Sequence, residues 1–165
     1  MDQSKDRMAT LKANLHRLKL SANYVVANAL KYQPDHAPDA ILLDAPCSAT
    51  GTARRHPDVL RHRKADDILR LAETQQKLLH HALDMLKSGG VLVYAVCSLQ
   101  PEEGEEQIAA LLKNRSDVKR QPMDSALIGG LTDCITKHGD LRTLPCHMAE
   151  SGGMDGFYAA VLIKK

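Results

Sequence analysis

AILLDAPCSATG, residues 40–51, opens as a strand and closes as a tight turn of small residues. The run Ala40 to Asp44 lacks polar alternation, as expected of a strand buried on both faces. Pro46 stiffens the turn, and small residues with Gly51 let the backbone approach a flat ligand. Taken alone, this is also the composition of an ordinary turn. VLVYAVCS, residues 91–98, repeats the pattern of a buried strand delivering a cysteine. Between them, Ile68, Leu71, Leu78, Leu79, Leu83 and Leu86 recur at helical spacing over residues 65–87, and Ser88-Gly89-Gly90 stops the helix. Strands alternating with helices predict an α/β fold with a mostly parallel sheet covered by helices on both faces. Ligands of such sheets bind beyond the carboxyl ends of the strands. Cys47 and Cys97 are therefore expected to line one cleft.

Outward from this core the pattern weakens. Met8, Leu11, Leu15 and Leu18 predict an amphipathic helix over residues 4–19, with Lys5, Arg7, Lys12, Arg17 and Lys19 as a solvated basic face. Tyr24 to Asn28 reads as a short strand, and Pro34 and Pro38 mark a loop. Residues 45–64 form a long functional loop. Pro101, Glu102 and Glu103 suit the first turn of a helix that runs to about Lys113. In residues 115–150 only Leu141 to Leu144 suggests a strand, whereas Phe157 to Ile163 is a clear final one.

With 165 residues, 44% hydrophobic and 25% charged, the chain fits one soluble domain. Aromatic residues make up only 3%, so aliphatic side chains must build the core. A net charge of +2 is too small to identify a nucleic-acid binder. No apolar run approaches the roughly 18 residues of a membrane span, and the polar N-terminus argues against a signal peptide. Four cysteines are too sparse for a secreted scaffold, so reduced thiols in a cytoplasmic protein are expected. Residues 1–50 contain no glycine. A nucleotide-type cofactor fold usually begins with a strand and a Gly-rich turn, and this chain begins after the point where that turn would stand.

Cys97 leaves a strand just before a helix start, where the helix dipole favours a thiolate. Glu102, Glu103, Glu105 and Glu106 oppose it, and the sequence leaves the sign of the shift open. A buried structural cysteine is the plainer alternative. Arg54, Arg55, His56, Arg61, His62, Arg63 and Lys64 form either a solvated face or a grip on phosphates. Cys134, His138, Cys146 and His147 are soft ligands without the spacing of a zinc knuckle, so no metal is expected. His80 and His81 lie mid-helix and read as packing.

DAPCSATG (44–51) and AVCSLQPEEGEEQ (95–107), in this order and joined by one helix, resemble the Sun/Fmu family of RNA cytosine-5 methyltransferases. The family has Asp-Ala-Pro-Cys-Ser-Gly-Thr-Gly, with Ala49 here in place of a glycine. It also has Thr-Cys-Ser before Pro-Glu-Glu, with Val96 here in place of the threonine. GTARRHPDV (51–59) and GGMDGFYAAVL (152–162) extend the resemblance over nearly the whole chain.

The resemblance implies a Rossmann-like methyltransferase sheet, N-terminally truncated, with residues 1–165 as one partial catalytic domain. It implies transfer of a methyl group from S-adenosylmethionine to carbon 5 of cytosine in RNA, ribosomal RNA being the expected partner. Cys97 would add to carbon 6 of the base. Asp44 would hydrogen-bond or protonate nitrogen 3. Cys47 would assist loss of the carbon-5 proton or product release. Pro46 and Ser48 would shape the base pocket, and Arg54, Arg55 and His56 would contact RNA. Asp2 would hold the ribose of the cofactor, Asn28 would meet its adenine, and Asp44 would serve the cofactor as well as the base. The rivals are an inactive remnant, an RNA-binding module without chemistry, and a thiol redox protein. The last lacks a Cys-x-x-Cys spacing.

Overall fold

In the computed structural model, which describes residues 1–165, the elements run in the order α1 (Lys5–Arg17), β1 (Ala40–Asp44), α2 (Val59–His62), α3 (Ala65–Met85), β2 (Val91–Val96), α4 (Glu105–Asn114), β3 (Val118–Gln121), β4 (Leu141–Thr143) and β5 (Phe157–Lys164). The chain divides into two units, Met1–Asp35 and His36–Lys165. No helix is long and apolar enough to cross a membrane.

The second unit holds one sheet, ordered β1-β2-β5-β3, with β4 also pairing β5. The pairing β1–β2 is parallel, while β5 runs antiparallel to β2, β3 and β4. The expected mostly parallel pairing is therefore corrected. Strands β1 to β4 share one direction, but the reversed β5 is wedged between β2 and β3. Direction followed the strand–helix alternation; the insertion of β5 did not. The carboxyl ends of β1 and β2 and the start of β5 consequently meet at one edge, with Val96 opposite Tyr158.

One face of the sheet makes the core. Register aligns Ile41 with Leu92 and Leu162, and Leu43 with Tyr94 and Ala160. These pack with Leu79, Leu83 and Leu86 of α3 and Ile108 and Leu111 of α4. Each fully buried leucine contributes about 1.5–3 kcal/mol. Tyr94 and Tyr158 meet edge to face, their ring centroids 6.4 Å apart. Lys164 Nζ donates to the carbonyls of Leu83 (2.8 Å) and Leu86 (2.7 Å), placing a cation on the last turn of α3.

On the other face, Val93 and Val161, in register with Leu42, are half-buried. Leu42 is 72% exposed, and β1 has no neighbour on its outer edge, so it is not the strand buried on both faces that its apolar run suggested. Gly89, with φ of 79°, makes the left-handed stop after α3.

In the first unit, Ser4 caps α1 by accepting from the Arg7 N–H. Of the apolar stripe on α1, Met8 is buried, while Leu11 and Leu18 are exposed. Residues 24–28 do not form the expected strand. A single bridge joins Asp2 to Val26, with Asp2 N–H donating to Val25 (3.2 Å) and Ala27 N–H to Asp2 (3.1 Å).

Candidate active site

The turn after β1 and the turn after β2 are built against each other. Ala45 N–H donates to the Ala95 carbonyl (3.0 Å), continuing the ladder one residue past Asp44. Gly51 N–H donates to the carbonyl of Cys97 (3.0 Å), and Gly156 N–H donates to the carbonyl of Gly51 (2.8 Å). A Cβ on Gly51 would stand 1.9 Å from the Gly156 oxygen. Gly51 is thus needed for contact between protein backbones, not for the approach of a flat ligand. GTARRHPDV and GGMDGFYAAVL, the segments flanking the cysteine motifs in the resemblance, are locked together here.

Ala49 sits in the left-handed region with φ of 59°, the position at which the Sun/Fmu pattern has glycine. Left-handed backbone costs an L-residue about 1–2 kcal/mol. Ala49→Gly is expected to stabilise the chain by about 1 kcal/mol. Gly51→Ala should destabilise it by about 2 kcal/mol or more, because backbone must move to admit the methyl group. Urea midpoints for the two variants should therefore move in opposite directions.

Within this frame the Sγ atoms of Cys47 and Cys97 stand 3.6 Å apart, and both residues are half-buried and free of disulfides. Either sulfur can donate in this contact; with Cys47 as the donor, the bond pulls the Cys97 pKa down to about 7 against burial and the negative charge of Asp44. The same bond, with burial, pushes Cys47 upward. The cause of that lowering is the neighbouring thiol, and residues 101–103 form only a short 3-10 turn before α4. Asp44 ends β1 exposed, beside Ala95 in register. Pro46 is exposed, its carbonyl accepting from Gln75 Nε2 (2.9 Å). A half-buried thiolate, a thiol held as its donor and an exposed carboxylate at one sheet edge can attack an electron-poor carbon and manage protons around it.

Ser48 is fully buried. Its hydroxyl donates to the carboxylate of Glu103. The basic run is also partly spoken for. Arg54 donates to the carbonyl of Gly152, Arg55 pairs with Asp155, and Arg63 Nε donates to the carbonyl of Ser48 (2.9 Å). Arg54 and Arg55 are exposed and also fasten the turn after β1 to the segment before β5. His56, Arg61, His62 and Lys64 are exposed.

In the first unit, Asp2 Oδ1 accepts from Ser4 N–H (2.8 Å) and from Arg7. The Ser4 bond, ahead of Arg7, lowers the carboxyl pKa, and Oδ2 remains open. Asn28 is exposed, its Oδ1 accepting from Leu30 N–H (2.9 Å) and its amide group left to donate. A carboxylate oxygen for hydroxyls and an amide for a base edge fit the ribose and adenine of a nucleoside. Elsewhere, Cys134 Sγ and Leu144 N–H both meet His147 Nδ1 at 3.2 Å, without His138 or Cys146. No group of three or more His, Cys, Asp or Glu residues is arranged to hold a metal ion.

A family model for the 16S rRNA methyltransferase RsmB/F matches residues 1–163. The chain belongs to the RsmB/F family. Ribosomal RNA small subunit methyltransferase B of Proteus mirabilis is 41% identical over 169 positions, covering 100% of this chain and 35% of that protein. The corresponding enzyme of Vibrio cholerae is 40% identical, with the same coverage. The chain thus spans about a third of the length of the curated relatives it matches. Among solved structures, NSun6 from Pyrococcus horikoshii with SFG superposes with a TM-score of 0.79 at 28% identity, covering 98% of this chain and 40% of that one. The Rossmann-like methyltransferase fold expected from the sequence is the fold of this RsmB/F chain.

Sequence reasoning missed Glu103 and Gln75 in this RsmB/F site. Glu103 was counted only as a nearby anion, although it is fully buried. Gln75 comes four residues after Leu71 and three before Leu78, so it is a polar residue on the apolar stripe of α3. That misfit was the available signal.

Proposed function

We propose that this chain carries the base-reacting part of an enzyme that methylates carbon 5 of cytosine in RNA, with ribosomal RNA as substrate. The supporting observation is the pair of free thiols 3.6 Å apart at the sheet edge that also presents Asp44. Membership of a 16S rRNA methyltransferase family supports this choice of substrate.

Cys97 thiolate adds to carbon 6 of the cytosine, forming a carbon–sulfur bond and pushing the electron pair toward carbon 5. Asp44 hydrogen-bonds or protonates nitrogen 3, where negative charge develops. S-adenosylmethionine, when bound, supplies the methyl group. Asp2 would hold its ribose hydroxyls and Asn28 would meet its adenine edge. Once Cys97 is bonded to the base it is no longer an anion, and the charge that kept Cys47 protonated is gone. Cys47 then releases its own proton to solvent and, as the thiolate, takes the carbon-5 proton, and the carbon–sulfur bond breaks to return the Cys97 thiolate. Pro46 walls the base pocket. The target base must leave its stack to enter.

Exposed His56, Arg61, His62 and Lys64 meet the RNA backbone, with Arg54 and Arg55 contributing through their ordering of the turn. The two units belong to one partial catalytic domain. Four free thiols suit a cytoplasmic location.

RNA containing 5-azacytosine tests this function without the methyl donor, because the base adds a thiolate directly. The parent chain should form a denaturation-resistant complex that peptide mass spectrometry maps to Cys97. Equal trapping by Cys97→Ala would overturn the assignment.

A further inference from the structure

We propose that Glu103 is a positioning residue that clamps the turn after β1 to the turn after β2 and thereby sets the separation of the Cys47 and Cys97 sulfurs. This rests on the reading of those thiols as the reacting pair and names what holds them. Glu103 is fully buried. Its Oε1 accepts from Ser48 N–H (2.9 Å) and Gln75 Nε2 (3.0 Å). Its Oε2 accepts from the hydroxyls of Ser48 and Ser98. Those serines come directly after Cys47 and Cys97 in the chain, and their Oγ atoms stand 3.0 Å apart. One carboxylate therefore grips the residue next to each cysteine.

The carboxylate is itself held from two sides. Gln75 of α3 bridges it to the Pro46 carbonyl (2.9 Å), and the Tyr94 hydroxyl of β2 donates to the Glu103 carbonyl (2.6 Å). Four donors converge on two oxygens, a demand that only an ionised carboxylate meets among side chains of this size. A glutamine could accept on one oxygen, but its amide nitrogen would force both serine hydroxyls to reverse their roles. The anion also has an electrostatic cost, since it opposes ionisation of Cys47 and Cys97. An acid that works against the thiolate and yet ties both cysteine turns has a geometric role.

Thiol–disulfide equilibrium reads that geometry directly. Oxidised glutathione converts the two thiols to a Cys47–Cys97 disulfide with release of two reduced glutathiones. The equilibrium gives the effective concentration of one thiol at the other. The full 165-residue chain would be equilibrated with glutathione buffers and the Cys47–Cys97 peptide quantified by mass spectrometry. Glu103→Gln should lower the effective concentration by about tenfold or more. Asp117→Asn, which loosens an ion pair with Arg115 away from both cysteine turns, should leave it unchanged even where the melting temperature falls. Ser98→Ala, which removes one of the gripped hydroxyls, should behave like Glu103→Gln. Values within about twofold of the parent in both Glu103→Gln and Ser98→Ala would overturn the clamp. The measurement uses neither RNA nor methyl donor, so its failure and the failure of base trapping are separate outcomes.

Discussion

Cys97→Ala is expected to abolish both the RNA adduct and methyl transfer while leaving the fold in place. The substitution removes a single sulfur from a half-buried position, so folding should change by no more than about 1 kcal/mol. The chemical loss is of another order. Carbon 5 of cytosine becomes electron-rich enough to be alkylated only after a nucleophile has added at carbon 6. Deleting a covalent nucleophile costs on the order of 10⁴-fold or more in turnover. Methyl incorporation into RNA, assayed with the full-length protein where flanking chain is required, should fall to background. Near-UV and far-UV circular dichroism should not change.

Cys47→Ala should give the contrasting result, an adduct that forms and persists. Cys47 has no part in making the carbon–sulfur bond beyond donating to the Cys97 sulfur, but the carbon-5 proton needs a base before that bond can break. Loss of a positioned base costs about 10²–10⁴-fold, so turnover should fall while the protein–RNA complex accumulates to near stoichiometry on unmodified cytosine. Gel analysis in the presence of methyl donor reads both quantities. A Cys47→Ala variant that turns over normally, with no accumulated complex, would remove Cys47 from product release.

Much of this site was written in two short segments. Each joins an apolar run to a cysteine, and parallel neighbours with a helix between them must bring their carboxyl ends together. The meeting of Cys47 and Cys97 was therefore legible. What hid was everything that depends on residues brought in from elsewhere. β5 has a clear strand pattern, but nothing in FYAAVLI says that it inserts between β2 and β3. β3, with the sequence VKRQ, has no periodicity to betray it. The carboxylate that holds Ser48 lies far along the chain. Asp155, the partner of Arg55, is brought to it only by the reversal of the chain before β5. The lowered pKa of Cys97 needed a distance between two thiols, which no sequence spacing contains.

With Cys47 as its donor, Cys97 is held as a thiolate and the two cysteines act as one unit. Iodoacetamide alkylation of Cys97, with peptide mass spectrometry across pH as the readout, tests it most directly. Thiolate alone reacts, so the rate rises as pH passes upward through the Cys97 pKa. The parent should reach half its maximal rate near pH 7. Cys47→Ala removes the donor that stabilises the anion, so its profile should move to higher pH, toward the ordinary cysteine range of about 8.5. Superimposable profiles for the two proteins, both centred in that ordinary range, would contradict it.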